Sequence, residues 1–131
     1  MTADTLQATR ASLSLSVNDL ARSRQFYVDG LGFAVEQEWK NDAGVVQGLM
    51  LKAGEASVGL SQDDFAKGRD RVKGVGLSLY LETGQDIAAI AQRARAVGIH
   101  LDADPAPLPW GPLGCAVNDP DGFRVIICNA S

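Results

Sequence analysis

The chain has 131 residues and a mass of 13.8 kDa, a size typical of one domain with its own hydrophobic core. Hydrophobic residues make up 46% of it and charged residues 21%, which excludes a disordered or coiled-coil chain. The formal net charge of −4 and the lack of a basic run argue against nucleic acid and anionic membranes as partners. We therefore expect a single globular domain over residues 1–131, folded without disulfides or zinc.

The chain also lacks the usual signals of export and of metal binding. No apolar run is long enough to span a membrane, and residues 1–10 do not resemble a secretory signal, so we expect a cytoplasmic protein. Cys115 and Cys128 have no metal-ligand or redox spacing, and we interpret both as small buried apolar residues. Since His100 is the only histidine, no two-histidine metal site or relay can form.

The first element in chain order is a strand over residues 12–17, where polar and apolar residues alternate. A period of two places the apolar residues under a covering layer and the polar residues on the opposite face of the strand. Asp19 then caps a helix over residues 20–29, which ends at Gly30. Three more strands are predicted near 33–39, 45–52 and 56–61, which gives a βαβββ unit. The residues predicted to face the helix are Leu13, Leu15 and Val17, and those predicted to face the other way are Ser12, Ser14 and Ser16.

The same pattern begins again at Gly76. A second helix is predicted from about Gln85, with apolar residues at helical spacing, and it ends at Gly98. A proline-rich loop over 104–112 and strands over 113–117 and 123–128 follow, so the fold class is α+β. We expect module one over about 11–62, a linker over about 63–73 and module two over about 74–129. Leu77, Leu79 and Leu81 are predicted to face the second helix, and Gly76, Ser78 and Tyr80 the opposite side.

Two stretches, Ser16–Phe33 (SVNDLARSRQFYVDGLGF) and Asn118–Phe123 (NDPDGF), resemble the signatures of the vicinal oxygen chelate superfamily. That superfamily includes glyoxalase I, extradiol dioxygenases and bleomycin-resistance proteins, and the resemblance covers nearly the whole chain from about Ser12. It implies two βαβββ modules that form a curved mixed-sheet cup, with the helices on the convex side and a ligand cavity inside. It also implies a homodimer, and leaves open whether the cup forms within one chain or across the dimer.

The resemblance also indicates where a metal would be held. In the metal-dependent members, His, Glu or Gln side chains occupy four inward positions, which here correspond to Ser12, Gly59 or Leu60, Gly76 and Ile126. A divalent metal needs three or four nitrogen or oxygen donors, so we expect no metal site and no cofactor. We also expect no catalytic residues: Glu36 and Glu38 lie on one side of a strand and are interpreted as a solvated edge.

Aromatic residues are the main candidates for ligand contact. In the metal-free drug-binding relatives, aromatic side chains stack on a flat ligand, and Trp39, Tyr80, Trp110 and Phe123 are the candidates here. The two tryptophans are predicted at pseudo-symmetric positions at the mouth of the cup. Because serine, glycine and tyrosine would leave the wall uncharged, we expect a small aromatic ligand, or a cationic one given the acidic chain. The predicted ligand-binding residues are Ser12, Ser14, Trp39, Met50, Ser78, Tyr80, Trp110 and Ile126.

The favoured interpretation is a metal-free binding protein of the glyoxalase and bleomycin-resistance type, which sequesters a drug or metabolite and so supports antibiotic resistance. One alternative is a lyase, isomerase or dioxygenase of the same superfamily that uses unaligned ligands or metal-free acid/base chemistry. Another is a structural remnant whose cup is filled by its own Met50 and Ile126. Pocket hydroxyls favour binding, and the single histidine argues against an enzyme, but the sequence leaves catalysis open.

Overall fold

A computed structural model describes residues 5–129 of the chain. Residues 1–4, part of the N-terminal stretch considered above, and residues 130–131 lie outside this range. The elements follow in the order β1 (Ser12–Val17), α1 (Leu20–Arg24) continued by a π-helical segment (Gln25–Gly30), β2 (Ala34–Lys40), β3 (Val46–Ala53), β4 (Ala56–Gln62), β5 (Ser78–Thr83), α2 (Ile87–Ala96), β6 (Leu101–Pro107), β7 (Leu113–Asn118) and β8 (Arg124–Asn129).

The strands form two mixed sheets, one in each module. Their orders are β1-β4-β3-β2 and β5-β8-β7-β6. The pairs β1–β4 and β5–β8 are parallel, and all other neighbouring pairs are antiparallel. The predicted α+β fold with two similar βαβββ modules is confirmed. Within residues 5–129 no strand of one sheet pairs with a strand of the other, so the modules are joined by other elements.

The predicted strand faces are confirmed by burial. On β1, Leu15 and Val17 are buried against the first helix, while the intervening serines are exposed. On β5 the leucines are half-buried and the alternate residues are exposed. The helix-facing sides of both sheets join one core cluster, which also contains Phe26 and Tyr27 of the first helix and Ile87, Ala91 and Ala94 of α2.

Both helices begin at a capping aspartate. The carboxylate of Asp19 accepts the N–H of Arg22, and that of Asp86 accepts the N–H of Ala88, so α2 begins at Ile87 rather than at Gln85. The first helix becomes π-helical from Gln25, which the sequence pattern does not predict. Within this π-helical segment, the neighbouring residues Phe26 and Tyr27 are both buried.

Two other predictions about module two are wrong in detail. Gly76 lies two residues before β5, in a turn with a φ of 76°, so it is not a strand position. The proline-rich segment is only partly a loop, because residues up to Pro107 belong to β6. This strand is at the edge of its sheet and its register is irregular, which are the conditions under which a strand accommodates proline.

The two stretches that carry the family resemblance contact each other and join the modules. The Tyr27 hydroxyl donates to Asp119 Oδ2 at 2.8 Å, and Asp119 Oδ1 accepts the N–H groups of Asp121 and Phe123 at 2.9 and 2.8 Å. The backbone N–H of Asn18 donates to Asp121 Oδ1 at 3.0 Å. The turn between β7 and β8 is therefore fixed on the first helix of module one.

The linker is held beside this contact. The Asp63 carboxylate is paired with Lys73 at 2.8 Å and with Arg71 at 3.1 Å. The pKa of Asp63 is lowered to about 2, mainly because of the hydrogen bond from Lys73. Gly74 passes so close to the β7–β8 turn that a Cβ atom there would lie 2.4 Å from the carbonyl carbon of Gly122. No helix within residues 5–129 has the length and hydropathy needed to cross a membrane.

Candidate functional site

Each sheet has one side that faces away from the helices, and most of the predicted ligand-binding residues lie on these two sides. We call the first the module-one open face. It carries serines from β1 and β4, glycines from β3 and β4, and four larger side chains, and its residues are Ser12, Ser14, Ser16, Gln37, Trp39, Gly48, Met50, Lys52, Ser57, Gly59 and Ser61.

Trp39 and Met50 lie over glycines on this face. The Trp39 ring covers Gly48, where an added Cβ would be 3.1 Å from its Cε3 atom, and 44% of the tryptophan remains exposed. The Met50 Cε atom would lie 3.5 Å from a Cβ atom added at Gly59. Gly59 also pairs with Ser14 of β1. The glycines thus leave room for two large side chains to lie flat beside a row of hydroxyl groups.

Arg10 crosses one end of the module-one open face. Its Nη2 atom donates to Glu36 Oε1 at 2.8 Å and to Ser57 Oγ at 2.9 Å. The hydrogen bond from Arg10 is the main cause of the lowered pKa of Glu36, and Lys52 adds to it. Sequence reasoning missed Arg10 and Ser57, because Arg10 precedes the first strand and nothing in the alternation connects it to β2.

Glu36 and Glu38 do not form the predicted pair on one side of a strand. A β-bulge between Val35 and Gln37 interrupts the alternation of β2. Glu36 consequently contacts Arg10, whereas Glu38 pairs in register with the core residue Leu49 and lies 3.8 Å from Arg24 of the first helix. The two carboxylates therefore have separate basic partners and do not form an acid/base couple.

The second sheet has a module-two open face with a different character. Apolar side chains from β7 and β8 cover its centre, and a loop over residues 108–112 lies against it. Its residues are Ser78, Tyr80 and Glu82 of β5, Trp110 of the loop, Gly114 and Ala116 of β7, and Arg124, Ile126 and Cys128 of β8.

Tyr80 and Trp110 form an aromatic pair on this face. Their ring centroids are 5.7 Å apart with an interplanar angle of 59°, and 52% of Tyr80 and 55% of Trp110 are exposed. Ile126 is the register partner of Tyr80 and is 6% exposed. The 108–112 loop is closed by a hydrogen bond from the Leu108 N–H to the Pro112 carbonyl at 2.8 Å. The pair offers two half-exposed rings above an apolar surface.

Trp39 lies near the end of β2 and Trp110 in the loop that follows β6, and their pseudo-symmetric placement at the mouth of a cup stays a prediction. One prediction about the aromatic residues is wrong. Phe123 packs against the shared core, and its N–H binds Asp119 in the module contact, so it does not line an open face.

The expectation of an uncharged wall is also wrong. Arg10 and Glu36 lie at the module-one open face. On the module-two open face Glu82 follows Tyr80 on β5, and Arg124 is paired with Asp102 at 2.6 Å. Each face thus carries groups of both signs near its edge.

The residues at the superfamily's metal positions do not fit a divalent metal. Ser12 offers a neutral hydroxyl, Gly59 and Gly76 offer no side chain, and Ile126 is apolar. Across residues 5–129 no three His, Cys, Asp or Glu side chains converge as a metal site would require. His100 is exposed, just before β6. Cys115 and Cys128 are buried as predicted, and burial raises the pKa of the Cys115 thiol.

Within residues 5–129 the two open faces belong to separate sheets. Both sheets pack their other sides on the shared core, and across residues 5–129 their strands do not pair with one another. Ser12, Ser14, Trp39 and Met50 belong to one face, and Ser78, Ile126 and the Tyr80–Trp110 pair belong to the other. The structure therefore divides the predicted residues between the two open faces.

Comparisons with known proteins agree with this architecture. The model of the Glyoxalase/Bleomycin resistance protein/Dioxygenase superfamily matches residues 9–127. A glyoxalase/bleomycin resistance protein from Streptomyces sp. CB03234 is 26% identical, with a TM-score of 0.69 over 92% of this chain and 100% of that one.

Two further solved structures share the fold at lower identity. TnmS3, an antibiotic binding protein from Streptomyces sp. CB03234, is 23% identical, with a TM-score of 0.72 over 97% of this chain and 99% of that one. TioX from Micromonospora sp. ML1 is 17% identical, with a TM-score of 0.74 over 93% of this chain and 98% of that one. No curated protein matches the sequence. Because the family model covers most of the residues, the chain belongs to the Glyoxalase/Bleomycin resistance protein/Dioxygenase superfamily.

Proposed function

We propose that this protein binds a small, flat organic molecule without a metal, and that it acts by sequestering the molecule rather than by transforming it. The ligand stacks on Tyr80 and Trp110 and on Trp39, and the serine hydroxyls orient it by hydrogen bonds. The arginine and carboxylate groups at the edges of the faces are available to ligand substituents of either charge. A drug or a metabolite with a fused aromatic ring system is the expected ligand class.

The observation that carries this proposal is the exposure of three aromatic side chains on otherwise small or apolar surfaces. Trp39, Tyr80 and Trp110 are 44, 52 and 55% exposed, although aromatic side chains of this size gain stability when they are covered. Met50 and Ile126 lie low against their sheets, so they leave these rings accessible. Half-exposed rings of this kind support a stacking site more than a cup filled by its own side chains.

We further propose that the protein works as a homodimer in which each cup combines the module-one open face of one copy with the module-two open face of the other. Neither open face can enclose a ligand unless another surface covers it. Within residues 5–129 the outer edges of β1 and β5 also have no partner strand, and a second copy would cover them.

The relatives support the choice of ligand class. One solved structure of similar fold is described as an antibiotic binding protein, and another as a glyoxalase/bleomycin resistance protein. We therefore propose that the ligand of this chain is an antibiotic or a molecule of similar chemistry.

A thermal-shift screen of anthracyclines, hydroxyanthraquinones, bleomycin, aromatic metabolites and divalent metals tests this function. A bound ligand should raise the Tm by mass action and quench tryptophan fluorescence. Because the chain has two tryptophans, Trp39→Phe leaves Trp110 as the sole indole reporter. We expect Trp110→Ala to weaken binding at least about tenfold. Affinity that is unchanged in both Trp39→Ala and Trp110→Ala would refute the stacking role.

A further inference from the structure

The junction between the modules holds a cavity that extends beyond the open faces and shares only Tyr80 and Glu82 with the module-two open face. It has a volume of about 640 Å³ and lies between the end of the first helix, the β3–β4 turn, the last residues of β5 and α2. That volume is within the usual range of small-molecule sites. Tyr80 of the module-two open face lies at its margin, and its apolar wall includes Leu31, Phe33, Leu81, Ile90 and Ile127.

The cavity exists because the two modules close their junctions differently. In module two, a turn of five residues, 119–123, connects β7 and β8 and reaches the start of the first helix of module one. In module one, the corresponding turn between β3 and β4 consists of Gly54 and Glu55 alone. This short turn faces the end of β5 across the cavity, and it is too short to fill the space that its counterpart fills.

The charges around the cavity are of one sign. Glu55 lies on the short turn and Glu82 near the end of β5, and no lysine or arginine is among the lining residues. Within residues 5–129, neither carboxylate takes part in an ion pair. A shallower crevice beside the cavity is lined by Asp86 and Arg93, but the Arg93 guanidinium already donates to the carbonyls of Val28 and Asp29.

We propose that this junction cavity, which adjoins the module-two open face along β5, is a second binding site for a small organic cation with an apolar body and an ammonium head. The apolar body contacts the half-buried leucine and isoleucine side chains, which the core covers only in part. The ammonium group lies between the carboxylates of Glu55 and Glu82, where it supplies the positive charge that the protein does not. An anion of the same shape would meet two like charges and would be rejected.

The experiment uses the full chain, 4-phenylbutylammonium as the probe, and 4-phenylbutanol and 4-phenylbutyrate as its neutral and anionic analogues. Glycine amide resonances in ¹⁵N-¹H spectra report each region separately. Gly32 and Gly54 line the cavity, whereas Gly48 and Gly59 belong to the module-one open face. We expect saturable shifts at the first two glycines, none at the other two, and binding of the anion at least about tenfold weaker than that of the cation.

Substitutions then identify the groups that hold the probe. Glu55→Gln and Glu82→Gln should each weaken cation binding about threefold, and together about tenfold, with little effect on the neutral analogue. Glu38→Gln removes the same charge outside the cavity and should change nothing. Ala53→Leu adds bulk to the lining and should weaken all three probes. If that variant does not fold, the glutamine variants still decide the charge argument.

Three results would overturn the proposal: no saturable shift at Gly32 and Gly54, shifts confined to Gly48 and Gly59, or equal affinity for the cation and the anion. The outcome is separable from that of the cup. Trp39→Ala, which tests the proposed function on the other sheet, should leave binding at the junction cavity unchanged.

Discussion

The two modules repeat one pattern, but their first strands are buried to different depths. Leu15 and Val17 of β1 are buried, whereas Leu79 and Leu81 of β5 are only half-buried. The turns that close the two junctions also differ. The five-residue turn of module two contacts Asn18 just after β1, while the two-residue turn of module one leaves the end of β5 beside the cavity. Leu81 accordingly lines the cavity, whereas Leu79 does not.

The largest expected effect separates these two strands. Leu15→Asp places an unpaired carboxylate under a helix and should cost about 4 kcal/mol or more, enough to prevent folding of many domains. Leu79→Asp should cost about half as much, because its side chain keeps contact with water. Unfolding in urea, monitored by circular dichroism, measures both.

Ser14→Ala on the open side of β1 is the matched control and should change stability by less than about 0.5 kcal/mol. A serine variant that destabilises more than Leu15→Asp would mean that the strand faces are assigned backwards. Equal losses at Leu15 and Leu79 would contradict the difference in burial between β1 and β5.

A smaller effect is expected at the closed junction. Tyr27→Phe removes the donor to the buried Asp119 and should lower the free energy of unfolding by about 1–3 kcal/mol. Burial, reinforced by the negative charge of Asp119, raises the Tyr27 pKa above its usual value of 10.0. The phenol therefore contributes stability that is fully present below pH 10 and is lost as the pH rises above it, where the unfolded tyrosine ionises.

Unfolding free energies measured from pH 8 to pH 11 check this pH dependence. The loss of stability above about pH 10 should be smaller in Tyr27→Phe than in the unsubstituted protein. Tyr80→Phe is the control, because that tyrosine is half-exposed, and it should follow the unsubstituted protein. Identical alkaline losses in all three proteins would show that the Tyr27 hydroxyl does not join the modules.

The smallest expected effect concerns metals. Serine, glycine and isoleucine at the superfamily's metal positions provide no set of donors in either module, so zinc, nickel, iron or manganese should shift the Tm by less than about 1 °C. Elemental analysis of the dialysed protein should find far less than one equivalent. Close to one equivalent of a metal that survives dialysis would contradict this.

Much of the fold could be predicted because the repeat is visible in the sequence. The alternation of Ser12–Val17 places leucine on one side of β1 and serine on the other, and a period of two permits no other arrangement when one side is buried. The helix cap at Asp19 follows from the same local reasoning, whereas the second helix begins at Ile87, two residues after its predicted start at about Gln85.

The candidate site was less predictable because its key features are not local. The bulge at Glu36 inserts a residue that alternation does not reveal, and Arg10 reaches Ser57 from a segment before the first strand. Strand β6 contains two prolines, which are tolerated because its outer edge is unpaired. The junction cavity did leave a signal in the sequence, the contrast between the Gly54-Glu55 turn and the longer 119–123 turn.

The central claim is that each cup combines Trp39 of one copy with Trp110 of the other, and mixed dimers test it most directly. Two differently tagged chains, one with Trp39→Ala and one with Trp110→Ala, are co-expressed and the mixed dimer is purified for calorimetry with a ligand from the screen. The account predicts that one cup lacks both tryptophans and the other is intact, so the mixed dimer binds half as much ligand with undiminished affinity. If each cup formed within one chain, both cups would lack a tryptophan. A mixed dimer without any full-affinity site, or a chain that remains monomeric, would contradict the account.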